Sequence, residues 1–169
     1  MDIKKIKVGK NPPSNVNVVI EIPEGSGVKY ELDKDSGAIF VDRVNYGAMV
    51  FPFNYGFIPH TKAEDGDPVD VVVLSSQRFV PGSVVAVRVI GMLEMEDEAG
   101  IDTKVIAVPE QKIDPFMADI EDIEDIPQAV KDKIKNFFDR YKELEPKKWV
   151  KTKNFLSRED AYKSIEKAL

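Results

Sequence analysis

The feature that most constrains the fold is a series of short strand-like segments that fills the first two thirds of the chain. The segments are rich in β-branched residues and bounded by Pro, Gly or a turn, which is typical of strands. The predicted strands are residues 16–23, 28–32, 38–44, 69–74, 83–95 and 103–109. Because the connections are short and no helical period intervenes, the pattern favours an antiparallel sheet or small barrel over a parallel βαβ fold. Gly91, inside the longest segment, indicates a bulge or tight bend.

The last third of the chain changes to a helical period. Apolar residues after Pro127 recur at spacings of three and four, which predicts one amphipathic helix with Pro127 in its first turn. Ser157 is predicted to cap a second short helix, because two acidic residues follow it in the first turn. We therefore predict a single domain over residues 1–169, mainly β, in which two helices pack on a barrel. The apolar stripe of the first helix consists of Val130, Ile134, Phe137, Phe138 and Tyr141.

Composition excludes several classes of protein. The chain has no Cys and one His, so disulfides, thiolate metal sites and cysteine nucleophiles are excluded. A net charge of −6 argues against binding nucleic acid or an anionic membrane. No apolar run approaches the roughly 18 residues of a membrane span, and the lysine-containing N-terminus lacks the apolar stretch of a secretory signal. We therefore expect a cytoplasmic protein with neither a membrane nor a nucleic acid as partner.

Two acidic groups follow or precede strongly apolar strands. The first lies in the sequence DGDPVD and the second in DEAGID. A solvated turn is the ordinary interpretation of such a group, but the first turn leads directly into a buried strand. Carboxylates this close repel one another, so they favour either a bound cation or full exposure to solvent. The candidate carboxylates are Asp65, Asp67, Asp70, Asp97, Glu98 and Asp102.

The type of ligand indicates the type of metal. Carboxylates without Cys and with only one His suit Mg²⁺, Mn²⁺ or Ca²⁺ rather than structural zinc. An EF-hand that began at Asp65 would have Asp70 in place of its Gly and Ser76 in place of its bidentate Glu, so this motif is excluded. Two separated carboxylate groups with few dedicated chelators fit Mg²⁺, which shares its ligands with water and substrate phosphates.

Basic side chains accompany the acids at matching spacings. Lys29 and Glu31 are two residues apart and share one face of a strand, and Asp102 and Lys104 repeat this pattern. Each Lys alone is typical of a solvated surface, whereas the combination indicates a site for metal and phosphate. No Gly-rich nucleotide motif is present, and we expect His60 to have a packing or surface role. Further candidates at strand or helix ends are Arg43, Tyr141 and Lys142.

These blocks together resemble the family I soluble inorganic pyrophosphatases. The acidic signature of that family is matched by DGDPVDVVV at 65–73, and the resemblance extends from about residue 12 to 151. The other matching blocks occur in the same order along the chain, which makes a chance match improbable. They are VVIEIP at 18–23, VKYE at 28–31, VDR at 41–43, PFNYGFIP at 52–59, DEAGIDTKVIAVP at 97–109, FFDRYKELE at 137–145 and KWVK at 148–151.

The resemblance implies both a fold and an activity. The implied fold is a closed five-stranded β-barrel of the OB type with two flanking α-helices. The implied activity is hydrolysis of inorganic pyrophosphate to two orthophosphates, by attack of a water that is activated by metal. The implied cofactor is Mg²⁺, several ions of it, with Mn²⁺ or other divalent ions as possible substitutes. The resemblance also implies a cytoplasmic enzyme that assembles as a homohexamer.

The resemblance assigns roles to individual side chains. The implied metal ligands are Asp65, Asp70, Asp97 and Asp102. The implied general base on the attacking water is Asp67. The implied outer-shell metal groups are Glu21, Glu31 and Glu98. The implied phosphate-binding groups are Lys29, Arg43, Tyr55, Lys104, Tyr141 and Lys142. Phe51 stands where bacterial relatives commonly have Tyr, and we expect only a modest change in hydrogen bonding from this difference.

Two alternatives from other functional classes are considered. A non-catalytic OB-type module would bind oligonucleotides, which the acidic loops and net charge oppose. A hydrolase could instead act on a different phosphate compound, such as a polyphosphate or a nucleotide, although no base-recognition motif supports this. Comparing turnover of pyrophosphate, triphosphate and ATP distinguishes these alternatives.

Overall fold

The computed structural model describes residues 2–64 and 66–169 of the chain. Nine strands and two α-helices account for most of the described secondary structure, with short 3₁₀ turns at Ile3–Lys5, Pro115–Met117 and Ile123–Asp125. The strands are β1 (Asn15–Ile22), β2 (Val28–Leu32), β3 (Ile39–Val44), β4 (Asn54–Phe57), β5 (Asp70–Val73), β6 (Val84–Asp97), β7 (Gly100–Ile101), β8 (Lys104–Pro109) and β9 (Val150–Leu156). The helices are α1 (Gln128–Arg140) and α2 (Arg158–Ala168).

Five strands close a ring of hydrogen-bonded pairs. The order is β1, β4, β5, β8 and β6, and β6 pairs again with β1. The predicted closed five-stranded arrangement with two flanking helices is confirmed. One detail of the expected antiparallel sheet is wrong, because β5 and β8 pair in parallel. The β2–β3 hairpin forms a separate two-stranded sheet beside the ring.

The long strand β6 pairs with four neighbours, and Gly91 lies at a bulge within it. Strand β6 pairs with β1 near its start, with β8 through its middle, and with β7 and β9 near its end. The register with β8 shifts between Val89 and Gly91, which confirms the predicted bulge. A Cβ at Gly91 would lie 2.7 Å from the carbonyl oxygen of Leu156, so a side chain has no space here.

The core lies on both faces of the sheet, because β5 is apolar and buried from Val71 to Val73. Successive side chains of a strand point to opposite faces. Val71 and Val73 join an apolar cluster that includes Ala161 and Ile165 of α2, whereas Val72 joins the cluster that includes the buried face of α1. The two helices therefore cover different clusters, and β5, which carries a candidate metal ligand at its first residue, is fixed from both sides.

Three strands are absent from the sequence-based prediction. Strand β4 is one of them, and it forms part of the ring between β1 and β5. A Cβ at Gly56 of this strand would lie 1.9 Å from the carbonyl oxygen of Val19. Strand β7 has only two residues, and β9 carries several polar residues that obscure its alternation.

The helix boundaries follow the predicted signals closely. Pro127 is the N-cap residue of α1 rather than a member of its first turn. Ser157 caps α2 as predicted, since its side chain accepts a hydrogen bond from the Asp160 backbone N–H. Trp149 is about half exposed and lies outside the core. Across the described parts of the chain, no helix is long and apolar enough to cross a membrane.

Candidate active site

One cavity of about 500 Å³ collects the predicted site residues. It lies where the β2–β3 hairpin, the start of β5, the 97–102 loop and the turn at 141–148 meet. Every predicted site residue that the structure describes lines this cavity. Asp65 was also predicted, and it lies outside the described residues. The lining residues among those predictions are Glu21, Lys29, Glu31, Arg43, Tyr55, Asp67, Asp70, Asp97, Glu98, Asp102, Lys104, Tyr141 and Lys142.

The parallel pair of strands places Lys104, the most buried charged side chain that lines the cavity, beside Asp70. Val71 pairs with Val105 in parallel, so the residues that precede them, Asp70 and Lys104, are neighbours. The Lys104 ammonium lies 2.6 Å from Asp70 Oδ2 and also bonds to Asp102. Lys104 is 3% exposed. Burial opposes its charge, but the two carboxylates outweigh burial and raise the pKa of Lys104 above its usual range.

Asp102 and Glu21 have raised pKa values because partial burial disfavours their charged forms. Burial raises the pKa of Asp102, and the neighbouring Lys104 ammonium only partly offsets this effect. Burial also raises the pKa of Glu21 to about 7, and the nearby charges of Asp70 and Glu31 add to the shift. Glu21 Oε1 accepts a hydrogen bond of 2.7 Å from the Leu32 backbone N–H. The negative charge of this cluster of carboxylates must therefore be balanced by bound protons, by a lysine or by other cations.

The β2–β3 hairpin brings two cations to one side of the cavity. Lys29 and Arg43 are directly paired across the hairpin. Asp42 lies between them, with Oδ2 at 3.3 Å from Lys29 Nζ and 2.8 Å from Arg43 Nη1. Lys29 also pairs with Glu31, as the shared strand face predicts. Both cations are partly accessible from the cavity. They can therefore bind an anionic ligand in addition to Asp42.

The 97–102 loop and the 141–148 turn complete the cavity. Lys142 Nζ donates to Asp97 Oδ2 at 2.8 Å, and the Ala99 backbone N–H donates to Asp97 Oδ1 at 2.8 Å. Burial opposes ionisation of Asp97, but these two donors outweigh it and lower the pKa of that carboxyl. Glu98 pairs with Lys148 on the same turn. The loop and the turn are therefore joined by two ion pairs.

An aromatic cluster orients the two tyrosines of the cavity. The Tyr141 ring stacks on Phe137 of α1 with centroids 5.0 Å apart, and Phe51 lies 5.6 Å from Tyr55. Burial raises the pKa of both phenols, and for Tyr55 the charges of Asp70 and Asp102 add to this effect. Both phenols therefore remain neutral hydrogen-bond donors at neutral pH. Phe51 packs within this cluster and has no hydroxyl to contribute.

Comparison with known proteins places the chain among relatives of one kind. A family model described as inorganic pyrophosphatase matches residues 18–169. The chain belongs to the inorganic pyrophosphatase family. An inorganic pyrophosphatase of Aquifex pyrophilus is 57% identical over 169 residues, which cover 100% of this chain and 96% of the relative. The resemblance that the sequence blocks indicated is thereby confirmed.

Solved structures of inorganic pyrophosphatases have the same fold. The structure from Helicobacter pylori is 54% identical, has a TM-score of 0.94, and the match covers 97% of this chain and 96% of that one. The structure from Thermus thermophilus is 49% identical, has a TM-score of 0.95, and the match covers 99% and 97% of the two chains. The predicted OB-type fold of the inorganic pyrophosphatase family is confirmed by these similarities.

Sequence reasoning missed two cations of the inorganic pyrophosphatase cavity. Lys34 and Lys148 both line it. Lys148 stands in the matched block KWVK, and its position beside an acidic loop could not be inferred before the turn was placed. Lys34 lies in the turn between β2 and β3, where a charged residue is typical of an exposed surface.

The donor set fits a hard divalent cation. Carboxylate oxygens dominate the acidic side of the cavity, and oxygen ligands are those that Mg²⁺ prefers. Within residues 2–64 and 66–169, no three acidic or imidazole side chains are already clustered as a metal site. In the structure, Asp70 and Asp102 both form ion pairs with Lys104. The residue types of the cavity therefore fit Mg²⁺.

Proposed function

We propose that this chain hydrolyses inorganic pyrophosphate to two orthophosphates in a reaction that depends on Mg²⁺. The observation that carries the proposal is the composition of the 500 Å³ cavity, in which acids and bases face one another. A cavity with acids alone would bind cations, and one with bases alone would bind anions. A site with both fits a polyanion that enters with divalent metal. The family to which the chain belongs supports the same activity.

The carboxylates would hold the metal ions. We propose Asp65, Asp70, Asp97 and Asp102 as ligands and Glu21, Glu31 and Glu98 as groups that act through water. Bound Mg²⁺ would supply charge neutralisation and lower the pKa of its water, and Mn²⁺ or another divalent ion could substitute.

Asp67 is the proposed general base. It lines the cavity on the loop that enters β5, and it is exposed there. Its carboxylate would take the proton of the attacking water while its neighbours in the loop hold metal. A positioned base of this kind contributes about 10²- to 10⁴-fold to rate.

The cationic and phenolic groups would bind the phosphate oxygens. Arg43 and Lys29 would approach from the hairpin, Lys104 and Tyr55 from the ring, and the remaining groups from the 141–148 turn. Their positive charges would stabilise the charge that develops on the leaving phosphate, and no covalent intermediate is required. These binding groups are Lys29, Arg43, Tyr55, Lys104, Tyr141 and Lys142.

A substrate comparison tests the proposed function. Turnover of pyrophosphate, triphosphate and ATP is measured with Mg²⁺ by release of orthophosphate. We expect pyrophosphate to be hydrolysed with the highest kcat/KM. Preferred turnover of ATP or triphosphate would replace the proposed substrate, and absence of any turnover together with salt-sensitive binding of single-stranded nucleic acid would favour the OB-type binding module.

Three further properties are proposed with this function. We propose a single pyrophosphatase domain over residues 1–169, because both apolar clusters draw on β1, β5, β6 and β8. We propose a homohexamer, supported by exposed apolar side chains on β3 such as Phe40 and Val44, and sedimentation measures its mass. A cytoplasmic location remains a prediction that cell fractionation tests.

A further inference from the structure

Glu145 lies outside the cavity and contacts Arg43, a side chain that lines it. Its side chain is 9% exposed, and Oε1 lies 3.2 Å from Nε of Arg43. Neither atom forms an aligned hydrogen bond with any described residue, so the contact is an ion pair between two buried atoms. Glu145 itself does not line the cavity, and it has no part in the chemistry proposed above.

The turn at 141–148 holds Glu145 firmly. Its backbone N–H donates to the Lys142 carbonyl oxygen at 2.9 Å, and its own carbonyl oxygen accepts from the Lys148 N–H at 3.2 Å. The neighbouring Leu144 packs near the segment that follows β3, where a Cβ on Gly47 would lie 3.5 Å from Leu144 Cδ1. The Glu145 backbone is therefore held within the turn, which lies beside the segment that follows β3.

Arg43 is held between two carboxylates. Nη1 donates to Asp42 Oδ2 at 2.8 Å, and Nε faces Glu145. Asp42 also contacts Lys29, so its charge is shared between two cations. Glu145 is thus the second carboxylate that anchors the guanidinium group, and Arg43 itself lines the cavity. An arginine fork that is fixed before binding loses less conformational entropy when it meets a phosphate.

We infer that Glu145 is a positioning residue that orients the Arg43 guanidinium toward the substrate phosphate. The inference rests on the proposed function. Through the same contact, Glu145 joins the hairpin, which carries Lys29 and Arg43, to the turn that carries Lys142 and Lys148. Loss of its charge should weaken binding of pyrophosphate more than it slows the chemical step.

Glu145→Gln tests this role because it removes the charge and keeps the shape. We expect KM for magnesium pyrophosphate to rise about tenfold, which corresponds to about 1.4 kcal/mol, while kcat changes less than about threefold. The matched control is Glu143→Gln in the same turn, whose carboxylate is 54% exposed and 3.6 Å from Arg140. Its KM should stay within about twofold of the parent, as for a surface ion pair. An equal KM in the two variants overturns the inference.

A double-mutant cycle separates positioning from general structural support. Arg43→Lys removes the Nε that Glu145 contacts. In that background Glu145→Gln should change KM by less than about twofold, because the contact through which it acts is already gone. A purely structural Glu145 would lower the thermal midpoint in both backgrounds and keep its full effect on KM. A tenfold rise in the Arg43→Lys background therefore contradicts the inference.

Glu145→Asp is measured in parallel in case Glu145→Gln does not fold. It keeps the buried charge and moves it about one methylene away from Nε, so we expect KM to rise about threefold. An unchanged KM in this variant counts against the inference. If the parent itself does not hydrolyse pyrophosphate, the proposed function fails and the positioning role with it. Turnover by the parent with no effect at Glu145 overturns the positioning role alone.

Discussion

The floor and the rim of the cavity hold their charges in different ways. At the floor, Lys104 is 3% exposed and lies between Asp70 and Asp102, where the register of β5 and β8 sets its position. At the rim, the side chains of Arg43 and Lys148 are 28% and 43% exposed, and ion pairs rather than core packing hold them.

This difference indicates that the floor and the rim of the cavity have different functions. Charges that depend on sheet register cannot move without disturbing two apolar clusters, so the floor is suited to fixed metal geometry. Charges held by ion pairs at a hairpin and a turn can exchange their partners when an anion enters. We therefore expect substitutions at the floor to affect stability and metal binding, and substitutions at the rim to affect mainly substrate affinity.

The largest effect is expected on the loop that enters the floor. Asp67→Asn removes the proposed base while keeping the size of the side chain, so kcat should fall about 10³-fold with substrate binding retained. Rapid-quench measurement of phosphate release and calorimetric binding of magnesium pyrophosphate check the two parts. Asp119→Asn, at an exposed position away from the cavity, is the control. A kcat near that of the parent would remove Asp67 from the base role.

The next largest effect is expected on the stability of the metal-free protein. Lys104→Met leaves Asp70 and Asp102 without their shared buried counter-charge, which costs about 3–5 kcal/mol of unfolding free energy. Urea unfolding in chelator measures this loss. Added Mg²⁺ should restore part of it by binding the freed carboxylates. Unfolding free energy equal to that of the parent would show that the floor is not held by this charge group.

A smaller effect is expected when a proposed metal ligand loses its charge. Asp102→Asn should raise the Mg²⁺ concentration needed for half-maximal rate by about tenfold, since one anionic ligand becomes neutral. A titration of rate against free Mg²⁺ measures the change. Asp119→Asn again serves as the control, and a curve that matches the parent would count against Asp102 as a ligand.

The smallest effect is expected at the rim. Lys148→Met breaks a partly exposed pair with Glu98, so unfolding free energy should change by no more than about 1 kcal/mol. KM for pyrophosphate should rise by a small factor because a cation of the cavity is lost. Urea unfolding and steady-state kinetics measure both. A stability loss as large as that of Lys104→Met would remove the distinction between floor and rim.

The sequence predicted which residues form the site better than it predicted how the fold brings them together. Spacing alone paired Lys29 with Glu31 and Asp102 with Lys104, and both pairs are present. The parallel contact that adds Asp70 to Lys104 was not predictable, because it depends on which strands become neighbours in the ring. The resemblance supplied the residues of the hairpin and ring, and the structure brings those it describes to one cavity.

The missed elements have identifiable physical causes. Strand β4 contains Gly56, a residue that weakens a strand pattern but is required here by the approach of the Val19 carbonyl. Glu145 follows a helix in a charged segment, where an acid is usually solvated. Only the tertiary contact with Arg43 shows that its carboxylate is buried.

A divalent cation should allow this acidic cavity to accept pyrophosphate, which is itself an anion. The direct measurement is pyrophosphate turnover as free Mg²⁺ is titrated, from excess chelator to saturation. We expect no measurable turnover in chelator and a rise to full rate as Mg²⁺ is restored. Turnover that persists undiminished in excess chelator would contradict it.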